Sequence, residues 1–229
     1  MKKILNEQLD ITVNSPVKAR FFDYEKFTYP WHFHSEYEIM YIDKGFGKCI
    51  TADNMIDYND KSLFFFGSSL PHCMRSAEVF NGESGLRVKG VILQFEKDFM
   101  HYSFSHYIQF NSIFNMMNEA QRGILFDVSH EPEIQRQLKE IPHLNGVCQI
   151  VEILKLLDHL TYIDNKRIIS SPRSDNAPLF FKDKKIEKII AYLNLKYTSN
   201  INLQDIASLH SNGALVLLSL FQTVHRENF

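Results

Sequence analysis

The 229-residue sequence predicts an α+β chain: an antiparallel β-barrel with appended helices, then a partial all-α helix-turn-helix domain. Three observations carry that prediction. Short runs rich in aromatic and β-branched residues recur from residue 9 to residue 96, after which the apolar spacing turns helical. A polar stretch without periodicity then sets off a last, lysine-rich segment. At 45% apolar and 23% charged residues, the chain has material for two modest cores.

The β-type runs cover residues 9–13, 19–24, 36–42, 48–51, 62–66 and 89–95, a spacing that suits an antiparallel barrel or jelly roll. The block from 31 to 72 organises the rest. Side chains alternate across a strand, so the even-numbered His32, His34 and Glu38 are expected to project into one space, with His72 joining them. The odd-numbered Phe33, Tyr37, Ile39 and Tyr41, with Leu63-Phe64-Phe65-Phe66, are expected to close the barrel and fill its interior. Gly45-Phe46-Gly47 reads as a tight reversal, because glycine reaches positive φ without steric cost.

Beyond residue 95, Phe110, Ile113, Phe114 and Met117 sit at helical spacing with Gly123 placed to end the helix. Residues 132–141 read as a short helix. Val147, Ile150, Val151, Leu154, Leu157 and Leu160 form an apolar stripe on a longer one, which either packs on the outside of the barrel or pairs with its copy in a second subunit. Residues 164–181 read as a linker. Ile186, Ile189, Ile190, Leu193 and Tyr197 then begin a second helical domain near Lys182, and Ser211-Asn212-Gly213 is the turn before a final helical run.

A formal charge of −2 gives no global attraction to nucleic acid or anionic membrane, so any DNA contact has to be local. Three scattered cysteines without C-x-x-C spacing point to reduced thiols and a cytoplasmic protein. Asn6-Glu7-Gln8 interrupts any signal-peptide core, and no run is long enough to span a bilayer.

Trp31, His32, His34, Glu36, Tyr37 and Glu38 make a W-H-x-H-x-E-Y-E run, followed by Gly45, Gly47, Gly67, Leu70-Pro71-His72, Gln94-Phe95 and 120–124. This pattern resembles AraC-type transcription regulators, and Ile206-Ala207, Phe221 and Phe229 match the apolar skeleton of that family's first helix-turn-helix. The resemblance covers nearly the whole chain. It implies a cupin-like sensing and dimerisation domain over 1–163, a linker over 164–181, and a partial helix-turn-helix DNA-binding domain over 182–229. A small polar effector, for example a sugar, is expected at His32, His34, Glu36, Glu38 and His72. DNA is the other expected partner, with Lys184, Lys185, Lys188, Asn212, Ser219 and Gln222 facing it. A homodimer without cofactor or catalytic activity completes the expectation.

The sequence departs from the family where DNA would be read. Gly213 replaces a capping Ser or Thr, Ser219 an arginine and Arg226 a glycine, while 214–221 carries no charge. Base edges require donors such as Arg, Asn or Gln, so DNA binding is expected to be weak and without sequence preference. The family's second helix-turn-helix is not among the 229 residues. Lys61-Ser62 also replaces the Gly-Asp turn usual before the later cupin strand. Two alternatives follow: a metal-dependent cupin enzyme using His32, His34, Glu38 and His72, with nitrogen and oxygen donors suited to Zn, Fe or Mn, or a dimerising sensor remnant that does not read DNA.

Overall fold

Strand alternation and two-sided burial together explain the architecture. The computed structural model describes residues 5–11, 16–51, 53–82 and 84–171. The chain divides into two units, Met1–Arg173 and Ser174–Phe229. The expected helix-turn-helix, with Lys184, Lys185, Lys188, Asn212, Ser219 and Gln222, lies outside the described residues.

Eleven described strands, numbered in chain order, make two sheets. One has the order β1 (Leu5–Asn6), β3 (His32–Phe33), β8 (His72–Ser76), β5 (Gly47–Thr51) and β6 (Met55–Tyr58). The other runs β11 (Lys166–Ile168), β10 (Ile124–Asp127), β7 (Ser62–Phe66), β4 (Tyr37–Lys44), β9 (Val88–Phe95) and β2 (Val17–Tyr24). Every neighbouring pair is antiparallel except β1 beside β3. The α+β class is therefore as the sequence predicts.

The two faces of the six-stranded sheet are buried against different things. Met40, Ile42, Phe64, Phe66 and Ile92 pack toward Cys49, Ile56, Tyr58 and Met74 of the other sheet. Tyr37, Ile39, Tyr41, Leu63, Phe65, Leu93 and Phe95 pack against the helices. This corrects the expectation that the odd-numbered residues fill the barrel. Parity establishes which side chains share a face, and a strand buried on both sides gives no polar alternation to say which face is inside. Phe33 belongs to the other sheet altogether. Burying one Phe stabilises by about 1.5–3 kcal/mol, so the fully buried Phe64, Phe65 and Phe66 fix β7 firmly between the two cores.

Other differences have local causes. Residues 9–11 are not in a strand, and the rest of the predicted 9–13 lies outside the described residues. Gly45, at φ 130°, joins strands of opposite sheets rather than a hairpin, since β4 and β5 are not neighbours. Lys61 takes φ 66°, a left-handed conformation usually left to glycine, with its ammonium held on the Asp43 carboxylate.

Four helices follow, α1 (His101–His106), α2 (Asn111–Ala120), α3 (Pro132–Glu140) and α4 (Gly146–Thr161). The apolar stripe on α4 splits: Leu157 and Leu160 are fully buried with Ile153 and Leu156, whereas Val147 is 74% and Val151 43% exposed. The stretch expected to begin the linker instead contributes β11 beside β10. Its continuation is fastened as well, since Ser170 Oγ donates to Thr51 Oγ1 at 2.9 Å, both side chains buried, and Asn54 Nδ2 donates to the Ile169 carbonyl at 2.8 Å. Thr51 is the cross-strand partner of His72.

Candidate functional site

His32 and His72 face each other across β3 and β8, with ring centroids 4.4 Å apart. His72 also stacks on Phe66 at 4.2 Å. Just past β3 the chain crosses to the six-stranded sheet, carrying His34 in the crossing and Glu38 as the second residue of β4. The four side chains meet because two sheets face each other; shared parity on one strand is not the reason.

Each imidazole is oriented by the main chain. Nδ1 of His32, His34 and His72 lies 2.9, 3.1 and 2.9 Å from the carbonyls of Pro30, Glu36 and Leu70. A carbonyl only accepts, so Nδ1 carries the hydrogen in all three rings and Nε2 is left for the shared space. One donor atom from each of the three rings falls within 4.8 Å of the others. Nε2 of His34 lies 3.3 Å from Glu38 Oε2, and Nε2 of His72 lies 3.6 Å from Glu38 Oε1. Gln94 Nε2 donates to Glu38 Oε2 at 2.6 Å from the neighbouring strand β9. The buried Nε2 atoms of His34 and His72 and Oε1 of Glu38 have no hydrogen-bond partner among the described residues.

Burial opposes charge on Glu38, but His34 and His72 outweigh it and hold the carboxyl well below the usual carboxylate range. Burial likewise opposes charge on His34, and Glu38 overrides it and raises the imidazole. His32 is pushed down to about 4 by burial and then by His72. The site thus favours the charged form of His34 beside Glu38 and disfavours that of His32.

A cavity of about 340 Å³ opens beside this centre. His32, Glu38 and Gln94 give it a polar end, Phe27, Met40, Met74 and Ile92 an apolar wall, and Glu7, Arg20 and Lys26 further charge. Glu36 is placed differently from expectation. Its carboxylate stands 3.8 Å from His34 Nδ1, the opposite edge of the ring from Glu38, and accepts from Ser35 Oγ at 2.8 Å. Strand alternation does not hold through the bend at residues 35–36, so Glu36 and Glu38 do not share a face. Sequence reasoning missed Glu7, Arg20 and Met40. Gln94 was singled out only within the Gln94-Phe95 pair of the family-like pattern, without a role in the site.

No protein-family model and no curated protein sequence matches the chain. Among solved structures, it is similar to fatty-acid-bound ToxT from Vibrio cholerae, at 17% identity and a TM-score of 0.46, over 89% of this chain and 72% of that one. It is similar to the AraC-like transcriptional activator CuxR at 9% identity and a TM-score of 0.38, over 85% and 68%. A cupin 2 conserved barrel domain protein from Rhodopseudomonas palustris matches at 17% identity and a TM-score of 0.30, over 38% and 57%.

Proposed function

We propose that this chain is a ligand-responsive transcription regulator of the AraC type, in which the two-sheet unit binds a small effector and residues 182–229 supply the DNA contact. The observation that carries the sensing role is a set of three buried atoms beside a cavity, Nε2 of His34 and of His72 and Oε1 of Glu38, that have no hydrogen bond among the described residues. Each such atom left unsatisfied costs about 1–3 kcal/mol, which a ligand recovers on binding. The effector has a polar head for His32, Glu38 and Gln94 and an apolar body for Phe27, Met40, Met74 and Ile92. A sugar would find polar partners at Glu7, Arg20, Tyr24, Thr28 and Tyr29 of the same lining, but none at that wall. Occupancy changes DNA affinity by favouring one arrangement of a cytoplasmic homodimer.

A second reading, a metal-dependent cupin, is favoured by one observation: the backbone fixes all three rings as the Nδ1–H tautomer, with donor atoms within 4.8 Å. His32, His34, His72 and Glu38 would hold a divalent transition ion, and the orphaned Nε2 and Oε1 atoms fit that role. The ion would supply a Lewis-acidic position for an effector or substrate to bind.

Thermal-shift screening of small amphipathic compounds, with and without added Co²⁺, tests the sensing role. A compound that raises the melting temperature of the wild type and not of His72→Ala is the expected result. If every stabilising compound acts equally on both proteins, the cavity is not the sensor. Metal analysis after purification decides the second reading, with stoichiometric transition metal lost in His34→Ala as its signature.

A further inference from the structure

We propose that Glu7 is a fifth ligand of the metal centre, delivered by β1, so that ion binding and the docking of that strand are one event. This rests on the metal reading of His32, His34, Glu38 and His72. Donor atoms held at about 2.0–2.2 Å from one ion lie about 2.8–3.6 Å from each other across octahedral to tetrahedral angles. Glu38 already shows that spacing to His34 and His72, at 3.3 and 3.6 Å. Glu7 Oε2 lies 3.5 Å from His32 Nε2 but outside the group of three imidazoles whose donor atoms fall within 4.8 Å of one another, so its side chain completes the approach when the ion binds.

The backbone holds Glu7 there. β1 runs parallel to β3, with the Leu5 N–H donating to the Trp31 carbonyl and the Glu7 N–H to the Phe33 carbonyl, both at 2.9 Å. Glu7 lines the same cavity as His32 and Glu38. Glu7 and Glu38 thus bring two carboxylates to one cavity, enough to neutralise a divalent ion, and the three imidazoles, neutral when they ligate, complete five donors.

The test is a Co²⁺ titration of the metal-free protein, read by the visible absorption of the bound ion and by hydrogen exchange at the amides of residues 5–8. Wild type is expected to bind Co²⁺ and to slow exchange at Leu5 and Glu7. Glu7→Gln is expected to bind about 10–100-fold more weakly, with a changed absorption spectrum and no slowing. Because Glu7 lies just past the two-residue edge strand β1, the unfolding temperature of the metal-free variant should match wild type. Wild-type affinity and spectrum in Glu7→Gln would overturn the fifth ligand while leaving the centre standing. Failure of wild type to bind Co²⁺ at all would overturn the centre itself, and Glu7 with it.

Discussion

His34 Nε2 stands 3.3 Å from Glu38 Oε2, with both side chains almost wholly shielded from solvent. A buried pair of this kind is costly to break from either side, since one uncompensated charge is left behind. Glu38→Gln is therefore expected to destabilise the metal-free protein by about 3 kcal/mol, read by urea unfolding. The double variant with His34→Gln should recover part of that loss. An additive double variant would show that the two groups do not interact.

The histidines should give the metal-free protein opposing pH dependences. His32 is held down to about 4, so between the ordinary value of 6.5 and about 4 the unfolded chain binds a proton that the native one refuses. Stability falls as pH drops through that window, by at most about 1.4 kcal/mol per pH unit from this group. His34 is raised, so its contribution is full below 6.5 and is lost as pH climbs through its folded pKa. Glu38 is depressed, so its contribution holds above the unfolded carboxyl range and fails only in strong acid. Unfolding of wild type and His32→Gln between pH 4 and 7 should show a steeper acid-side slope in wild type; parallel curves would refute the assignment.

Gln94 fixes the carboxylate, and Gln94→Leu removes its buried donor. The expected cost is about 1–3 kcal/mol of folding stability, with weaker Co²⁺ binding as a second readout. Unchanged Co²⁺ affinity would mean that Gln94 does not position Glu38.

The split stripe on α4 says how to test for a homodimer. Leu157 is fully buried, so Leu157→Glu should unfold the unit and reveals nothing about association. Val147→Glu with Val151→Glu changes only the exposed side, and the expected result is a folded monomer for the variant against a dimer for the wild type by sedimentation. A double variant that keeps the dimer mass places the contact elsewhere.

For DNA, titration of the 229-residue chain against its own upstream promoter and a scrambled duplex should give the same weak, salt-sensitive binding to both. Residues 182–229 hold six Lys or Arg against four acidic residues, enough for only a few phosphate contacts. No side chain in 214–221 can make a bidentate base contact, each worth about 1–3 kcal/mol of discrimination. Nanomolar binding confined to the promoter would contradict this.

How much of this was legible follows from which signals are local. Residues 62–66 appear as a strand with the predicted limits, because Leu63 to Phe66 has no other stable home than two-sided burial. β8 was missed because His-Cys-Met-Arg-Ser lacks both alternation and β-branched residues. The meeting of His32 with Glu38 was expected for an incomplete reason, since sequence parity cannot show that the chain changes sheets between them. Nothing near Glu7 marks it: its place depends on a pairing of strands 27 residues apart, Asn6 with Phe33 lying one position before it. Such non-local registers carry no signature in a single sequence.

The hydroxyl pair of Ser170 and Thr51 has one more consequence. Thr51 stands opposite His72 on the adjoining strand, so the last described residues of the unit are moored to the wall that carries one of the cavity imidazoles. The next residue is held there too, the Ser171 N–H donating to Asp53 Oδ2 at 3.2 Å just beyond β5, so a single rung of the β5–β8 ladder separates the last described residues from the cavity chemistry.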